Sequence, residues 1–533
     1  MAGSCGLPVL LLHAAAVAAF GGAEEAKEFV LVKLPNAKCL DGSPAVYYIA
    51  ANASSSSWVV YVHTHPPPGP RPCTPMHAYA RSCTPMHAHA RPCTPLHAHA
   101  RLCTPRPGRR HSTFSRPCPQ AQAHASRRWL EGGGICFNLT DCAQRAKGRL
   151  GSSSSYNASI AAPKGMLSSD PAANPDLHTW NRVFVPYCSG DVWMGTKRAA
   201  VNPFPQEGAW RGYFHGHFIL EDMYEDISDR YVSSSPPTHA VLTGCSAGGM
   251  GVIFNCDWFA ANFYGDVDVA CRPEAGWFGL PQASYARFSS AVPASGRLGP
   301  DPRKNVQANW TMQVEPYLRT SSVGRRCVED VQSGKLHIPY CDGQEMGDAE
   351  CCFTPPYAYA YSKTRMFLSQ NSADAYQVYE TAPFPVHTYQ TCAASIRDTN
   401  ATAYWLYIRG TIAGSLTRFV VDGAKRAQDG LFMPACLVHC MANWQGPVTL
   451  RGKTDQQAFG DWYFRRGGEH MLLDNSTDPA ALCACAGSPF PNTAGSSPLA
   501  AAAALADAAV DVASHLIPAA LADMVRLHRS PQP

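Results

Sequence analysis

The apolar positions of this chain fall in short runs separated by small and polar residues, and each run predicts a different element. "WVVY", Trp58 to Tyr61, reads as half of a buried strand with no glycine-rich continuation. "LEGGGICF", Leu130 to Phe137, is the converse, a glycine-rich loop with almost no strand before it. Ala240 to Leu242 suit a short buried strand, and "MGVIFNCDWFAANF" from Met250 continues as a helix after a cluster of small residues. In "GLFMPACLVHC", Gly430 to Cys440, an apolar segment ends at a loop between two cysteines. "LPVLLLHAAAVAAF", Leu7 to Phe20, is too short to span a bilayer, and Gly21, Gly22 and Ala23 follow it as in a signal peptide cleaved near residue 23. No later apolar run approaches the length of a membrane span, so none is expected in the mature protein.

Between Val62 and Trp129 the apolar pattern disappears. "CTPMHAYARS", "CTPMHAHARP" and "CTPLHAHARL" follow one another from Cys73 in a Pro-rich stretch that holds ten Arg, no Lys and no acidic residue. Without it the formal net charge of +4 becomes −6, so a nucleic-acid reading would rest on this stretch alone, and no nucleic-acid partner is expected. Its Cys-x3-His-x-His spacing at Cys83, His87 and His89, and at Cys93, His97 and His99, offers ligand types that zinc accepts. A proline-rich array has no apolar period to fix ligand geometry, so a disordered insert without metal is the expectation. Joined across it, the flanks read "WVVYLEGGGICF", a strand running into a backbone-exposing loop. The insert therefore interrupts one strand-loop unit, as a surface excursion or as intronic sequence translated in a faulty gene model. The expected organisation is a signal peptide over 1–23, a catalytic domain over 24–61 and 130–490, the repeat insert over 62–129, and an Ala-rich, helix-prone tail over 491–533.

Twenty-two cysteines are unusual for a cytosolic enzyme, and sequons begin at Asn52, Asn138, Asn157, Asn309, Asn400 and Asn475. Together with the leader they predict a secreted, disulfide-bonded glycoprotein.

The small residues after Leu242 carry the chemistry. "GCSAG", Gly244 to Gly248, satisfies G-x-S-x-G in the strand-turn-helix context that a nucleophile elbow requires. A nucleophilic Ser246 also needs oxyanion donors, a base and an acid that orients the base. "LEGGG" can supply donors, because glycines let backbone N–H groups approach a substrate carbonyl. Five histidines stand far enough along the chain to be the base: His387, His439, His470, His515 and His528. His439 is placed best, at a loop that Cys436 and Cys440 could pin; its rival reading is a satisfied core histidine.

Several segments in order resemble the pectinacetylesterase/Notum family of serine carboxylesterases: "KCLDGSPAVYY" from Lys38, "LEGGGIC" from Leu130, "WNRVFVPYCSGDVWMG" from Trp180, "RGYFHGH" from Arg211, "GCSAGGMGVIFNCDWF" from Gly244, "EAGWF" from Glu274, "CCFTPPYAY" from Cys351, "NSADAYQV" from Asn371 and "GLFMPACLVHC" from Gly430. The resemblance implies an α/β-hydrolase-like fold, a mixed sheet flanked by helices. It implies a triad of Ser246 as nucleophile, Asp374 as acid and His439 as base, with the amides of Gly133 and Ala247 as oxyanion donors and no cofactor. "NSADAYQV" is one residue shorter than the plant-like motif, and Glu274 stands where the family usually has aspartate. Gly134 resembles the plant type, "VFVPYCSGDVW" the Notum type, and Ile135 replaces an aromatic common to both. Gly134, Ile135, Trp277 and Phe278 are expected to line the acyl pocket. The implied substrate is an acetylated extracellular or cell-wall polysaccharide, or else an acylated secreted protein, handled by a monomer. A secreted binding protein that keeps the fold without turnover is the rival of another class.

Overall fold

The structure is a computed structural model that describes residues 28–63, 133–136, 138–232, 236–263, 265–278, 317, 321–336, 352–381, 399–441 and 448–474. The expected signal segment, the insert beyond His63, the Ala-rich tail and the sequons at Asn309 and Asn475 lie outside these residues.

Among the described residues ten strands form one mixed sheet. In chain order they are β1 (Glu28–Lys38), β2 (Pro44–Ala50), β3 (Ser57–His63), β4 (Ser159–Ala161), β5 (Asn181–Pro186), β6 (His239–Cys245), β7 (Asp268–Glu274), β8 (Phe367–Ser369), β9 (Gly430–Met433) and, after a small hairpin of β10 (Thr449–Leu450) and β11 (Lys453–Thr454), β12 (Met471–Leu473). The spatial order is β12-β9-β8-β7-β6-β3-β5-β2-β1-β4. From β12 to β5 every pairing is parallel, whereas β5, β2, β1 and β4 run antiparallel to one another in turn.

The continuous apolar runs read from the sequence are the signature of parallel strands buried on both faces. On β3, Trp58, Val60 and Val62 enter one core while Val59 and Tyr61 enter the other; on β6, Ala240 and Leu242 face the first and Val241 the second. β3 runs two residues past the expected boundary: Val62, assigned to the insert, is a fully buried strand residue, and His63 still pairs with Pro186.

Helices cover both faces: α1 (Leu139–Arg145), α2 (Gly216–Ile227), α3 (Ala247–Ala261), α4 (Ser322–Gln332), α5 (Pro355–Tyr361), α6 (Ala375–Thr381), α7 (Thr399–Leu416) and α8 (Asp455–Tyr463). α3 is buried nearly all round, consistent with an apolar sequence on every side, and Cys256 ties it to Cys271 on β7. α7 places Trp405, Ile408, Ile412 and Leu416 in the same core. On the opposite face α8 starts with a capping box, Thr454 with Gln457, and buries Phe459, Trp462 and Tyr463 against the second core. The expected mixed sheet flanked by helices is what forms. Among the described residues no helix is long and apolar enough to cross a membrane.

Candidate active site

Ser246 stands between β6 and α3 with φ 62° and ψ −124°, a left-handed conformation that costs a residue with a side chain on the order of 1–3 kcal/mol. Backbone bonds on both sides hold it: its N–H donates to the Glu274 carbonyl at 3.0 Å, and its own carbonyl accepts the Met250 N–H at 2.9 Å. The small neighbours have a steric reason. A Cβ at Gly244 would collide with Val62 on β3, and one at Gly249 with the Glu274 carbonyl on β7, so larger residues would push the turn off the sheet. The Ser246 hydroxyl has no hydrogen-bond partner among the described residues. Ala247 begins α3, so its N–H has no carbonyl one turn back, and the helix dipole favours negative charge beside it.

Asp374 and His439 come from different loops, one after β8 and one after β9. His439 Nδ1 lies 2.8 and 3.0 Å from the two carboxylate oxygens of Asp374, which is fully buried. The carboxylate also accepts the Gln370 side-chain amide and the Gln377 N–H, each at 3.0 Å. With Nδ1–H directed at the carboxylate, the neutral ring keeps its lone pair on Nε2, and Nε2 is buried without a partner among the described residues. Tyr376 stacks on the imidazole at 5.2 Å and Phe278 meets it edge-on at 6.1 Å, which leaves the ring little freedom to turn. The shortened "NSADAYQV" still brings Asp374 to His439. A disulfide, Cys245 to Cys440, joins the residue before Ser246 to the residue after His439.

Two donors from outside the glycine loop hold its carbonyls. Arg145 on α1 donates to the Gly133 carbonyl, with its Nε on Asp141. The Tyr187 hydroxyl donates to the Gly134 carbonyl at 2.9 Å and accepts the Val192 N–H at 2.8 Å. Burial pushes the Tyr187 phenol well above its ordinary range, so it remains a donor. Gly134 takes φ 42°, a conformation that suits glycine, and the Cys136–Cys142 disulfide anchors the loop's end to α1. Fixed carbonyls also fix the trans-peptide N–H groups that follow them, here those of Gly134 and Ile135.

The four residues expected to line an acyl pocket separate into two groups. Ile135 and Phe278 are half-buried and Gly134 has no side chain. Trp277 is buried in the core, its indole N–H on Ser415 Oγ at 3.1 Å and its ring against Tyr359 and Phe419. Glu274 serves the elbow through its backbone carbonyl, while its carboxylate joins a buried cluster with Arg272 and Asp455.

Sequence reasoning passed over Gln370, Tyr376, Arg145 and Tyr187. Tyr187 lies inside a motif already singled out, but nothing local marks it as the partner of a glycine carbonyl 53 residues away.

The pectinacetylesterase family profile matches residues 120–291 and 312–484. Pectin acetylesterase 5 of Arabidopsis thaliana is 26% identical over 366 residues, covering 65% of this chain and 74% of its own length. The palmitoleoyl-protein carboxylesterase Notum of Schmidtea mediterranea is 34% identical over 378 residues, covering 68% of this chain and 60% of its own length. A structure of the Wnt deacylase Notum from Drosophila aligns with a TM-score of 0.55 over 84% of this chain and 97% of that one, at 18% identity, a likeness of fold alone.

Proposed function

From the premise that the chain belongs to the pectinacetylesterase family and is a carboxylic ester hydrolase, we propose that it is a secreted serine esterase that removes short acyl groups, acetate foremost, from extracellular polysaccharide. The observation that carries the reading is the buried Asp374 carboxylate on His439 Nδ1 with Nε2 left open, on a loop covalently joined to the strained Ser246 turn.

In the proposed mechanism Ser246 Oγ attacks the ester carbonyl while His439 Nε2 takes its proton. Asp374 holds the ring in the Nδ1–H tautomer and stabilises the imidazolium. The amides of Ala247 and Gly133 receive the oxyanion, and the imidazolium then protonates the departing alcohol. Water, activated by the same histidine, releases the acid from the acyl-serine. The catalytic unit comprises the strands before the insert together with residues 130–490.

Acyl size follows from the walls. Each buried methylene of a substrate is worth about 0.8 kcal/mol only where apolar side chains receive it. Gly134 supplies no wall and Trp277 is committed to the core, while Tyr376 and Phe278 fill the space beside the base. These features favour a small acyl group, as the name of the Arabidopsis relatives indicates for those proteins. The higher identity to Notum proteins, named for a palmitoleoyl-protein substrate, supports a second reading, a long-chain protein deacylase. The two separate in kcat/KM against acyl length from two to about sixteen carbons in one ester series. The acetylesterase predicts a maximum at short chains; a steady rise through the long chains selects the deacylase.

A further inference from the structure

The nucleophile and the base are carried by strands that do not touch. Ser246 follows β6 and His439 follows β9, with β7 and β8 between them, a span of roughly 14 Å at ordinary strand spacing. The base moves with its acid: Ser372 N–H donates to the Pro434 carbonyl at 2.9 Å, Ala375 N–H to the Val438 carbonyl at 3.4 Å, and the Asn371 side chain to the His439 carbonyl at 3.4 Å. The serine turn belongs instead to β7, through the Glu274 carbonyl. Among the described residues no hydrogen bond joins the turn over 244–250 to the loop over 434–441. One covalent bond does, and it runs from Cys245 to Cys440 with Cα atoms 6.0 Å apart.

We propose that Cys245 and Cys440 are positioning residues: their disulfide sets the approach of His439 Nε2 to Ser246 Oγ, while Asp374 and the aromatic rings set only the orientation of the imidazole. The proposal rests on the Ser-His-Asp reading above. Cys245 is fully buried at the end of β6, where the sheet fixes its position, and Cys440 is half-buried on the loop. The rigid end therefore constrains the looser one. The fully buried disulfide between Cys256 and Cys271 packs α3 on β7 behind the turn and does not reach the base. Loss of the Cys245–Cys440 bond leaves the acid–base pair assembled and tied to the end of β7 through Gln370 on the Trp277 N–H and Gln377 on its carbonyl, but removes the one direct bond between the base's loop and the serine turn among the described residues.

The test is Cys245→Ala/Cys440→Ala in the full chain, with kcat and KM for p-nitrophenyl acetate separated across pH. A misplacement of about 1 Å costs on the order of 100-fold, so kcat is expected to fall by about 10- to 100-fold. KM should stay within about twofold, because binding is untouched. A kcat within about threefold of the parent in folded protein overturns the proposal, and so does a loss confined to KM. If the double variant does not fold, the native protein is treated with graded dithiothreitol. Two electrons and two protons convert the disulfide to two thiols while the reagent closes to its own disulfide. Activity is read before alkylation, and Cys440 is mapped by peptide mass. Activity that falls in step with Cys440 reduction and returns on reoxidation supports the proposal; full activity with Cys440 reduced overturns it. Ser246→Ala distinguishes the two failures: an active Ser246→Ala enzyme overturns the triad itself, whereas an inactive one beside a fully active disulfide variant overturns the tether alone.

Discussion

The turn at Ser246 and the pair formed by Asp374 and His439 are both held in place, by opposite means. At the turn the backbone does the holding: a left-handed serine, glycines packed against β3 and β7, and main-chain bonds to Glu274 and Met250. At the pair, side chains do it: Asp374 on Nδ1, Gln370 on Asp374, Tyr376 and Phe278 on the ring. A backbone device restricts which residues are allowed next to it and therefore leaves a local motif. A side-chain device needs only that distant groups meet, so its residues are scattered through the sequence.

The contrast can be broken at four points. Ser246→Ala removes the only proposed acyl acceptor and should lower kcat by on the order of 10⁵-fold or more with the melting temperature preserved. Retained turnover on p-nitrophenyl acetate would end the assignment. Asp374→Asn should lower kcat on the order of 10³-fold or more, because an amide favours the wrong imidazole tautomer; a silent Asp374 would mean that another acid orients the base. Gly249→Ala should act on the fold instead. The added methyl meets the Glu274 carbonyl, and overpacking of this kind costs about 1–3 kcal/mol in denaturant unfolding. Unchanged stability would show that the turn is looser than described. Gln370→Ala should be mildest: loss of one hydrogen bond to a charged carboxylate is worth about 1.5 kcal/mol, roughly tenfold in kcat. Its Oε1 also accepts the buried Trp277 N–H at 3.0 Å, so stability should fall as well, by about 1–3 kcal/mol; a fall in stability without a fall in kcat would place Gln370 on the structural side of the contrast.

The same contrast explains what could be read from the chain. β3, β6 and the helix after Ser246 were legible because apolar runs and tight glycines are local consequences of a sheet buried on both faces. Their ends were not: β3 continues through Val62 and His63, where no residue type signals that pairing with β5 persists. Asp374 was legible only through family resemblance, since its role depends on a loop 65 residues away. In "EAGWF" two adjacent aromatics looked equally suited to a pocket wall. The backbone sends Trp277 inward to Ser415 and leaves Phe278 beside His439, an alternation that the letters alone do not orient. Cys245 and Cys440 flank Ser246 and His439 in plain view, yet with 22 cysteines spacing could not pair them.

The central claim is that Ser246, unlike any other serine in the chain, is made nucleophilic by the pair formed from His439 and Asp374. A fluorophosphonate probe reports this directly, because it captures a serine only while an adjacent base activates it. The purified full chain, treated with the probe, digested and mapped by mass spectrometry, should carry one phosphonyl group on the Ser246 peptide, and His439→Ala should abolish the label while the protein stays folded. Labelling at another serine, or labelling of Ser246 that persists undiminished in His439→Ala, would contradict the account.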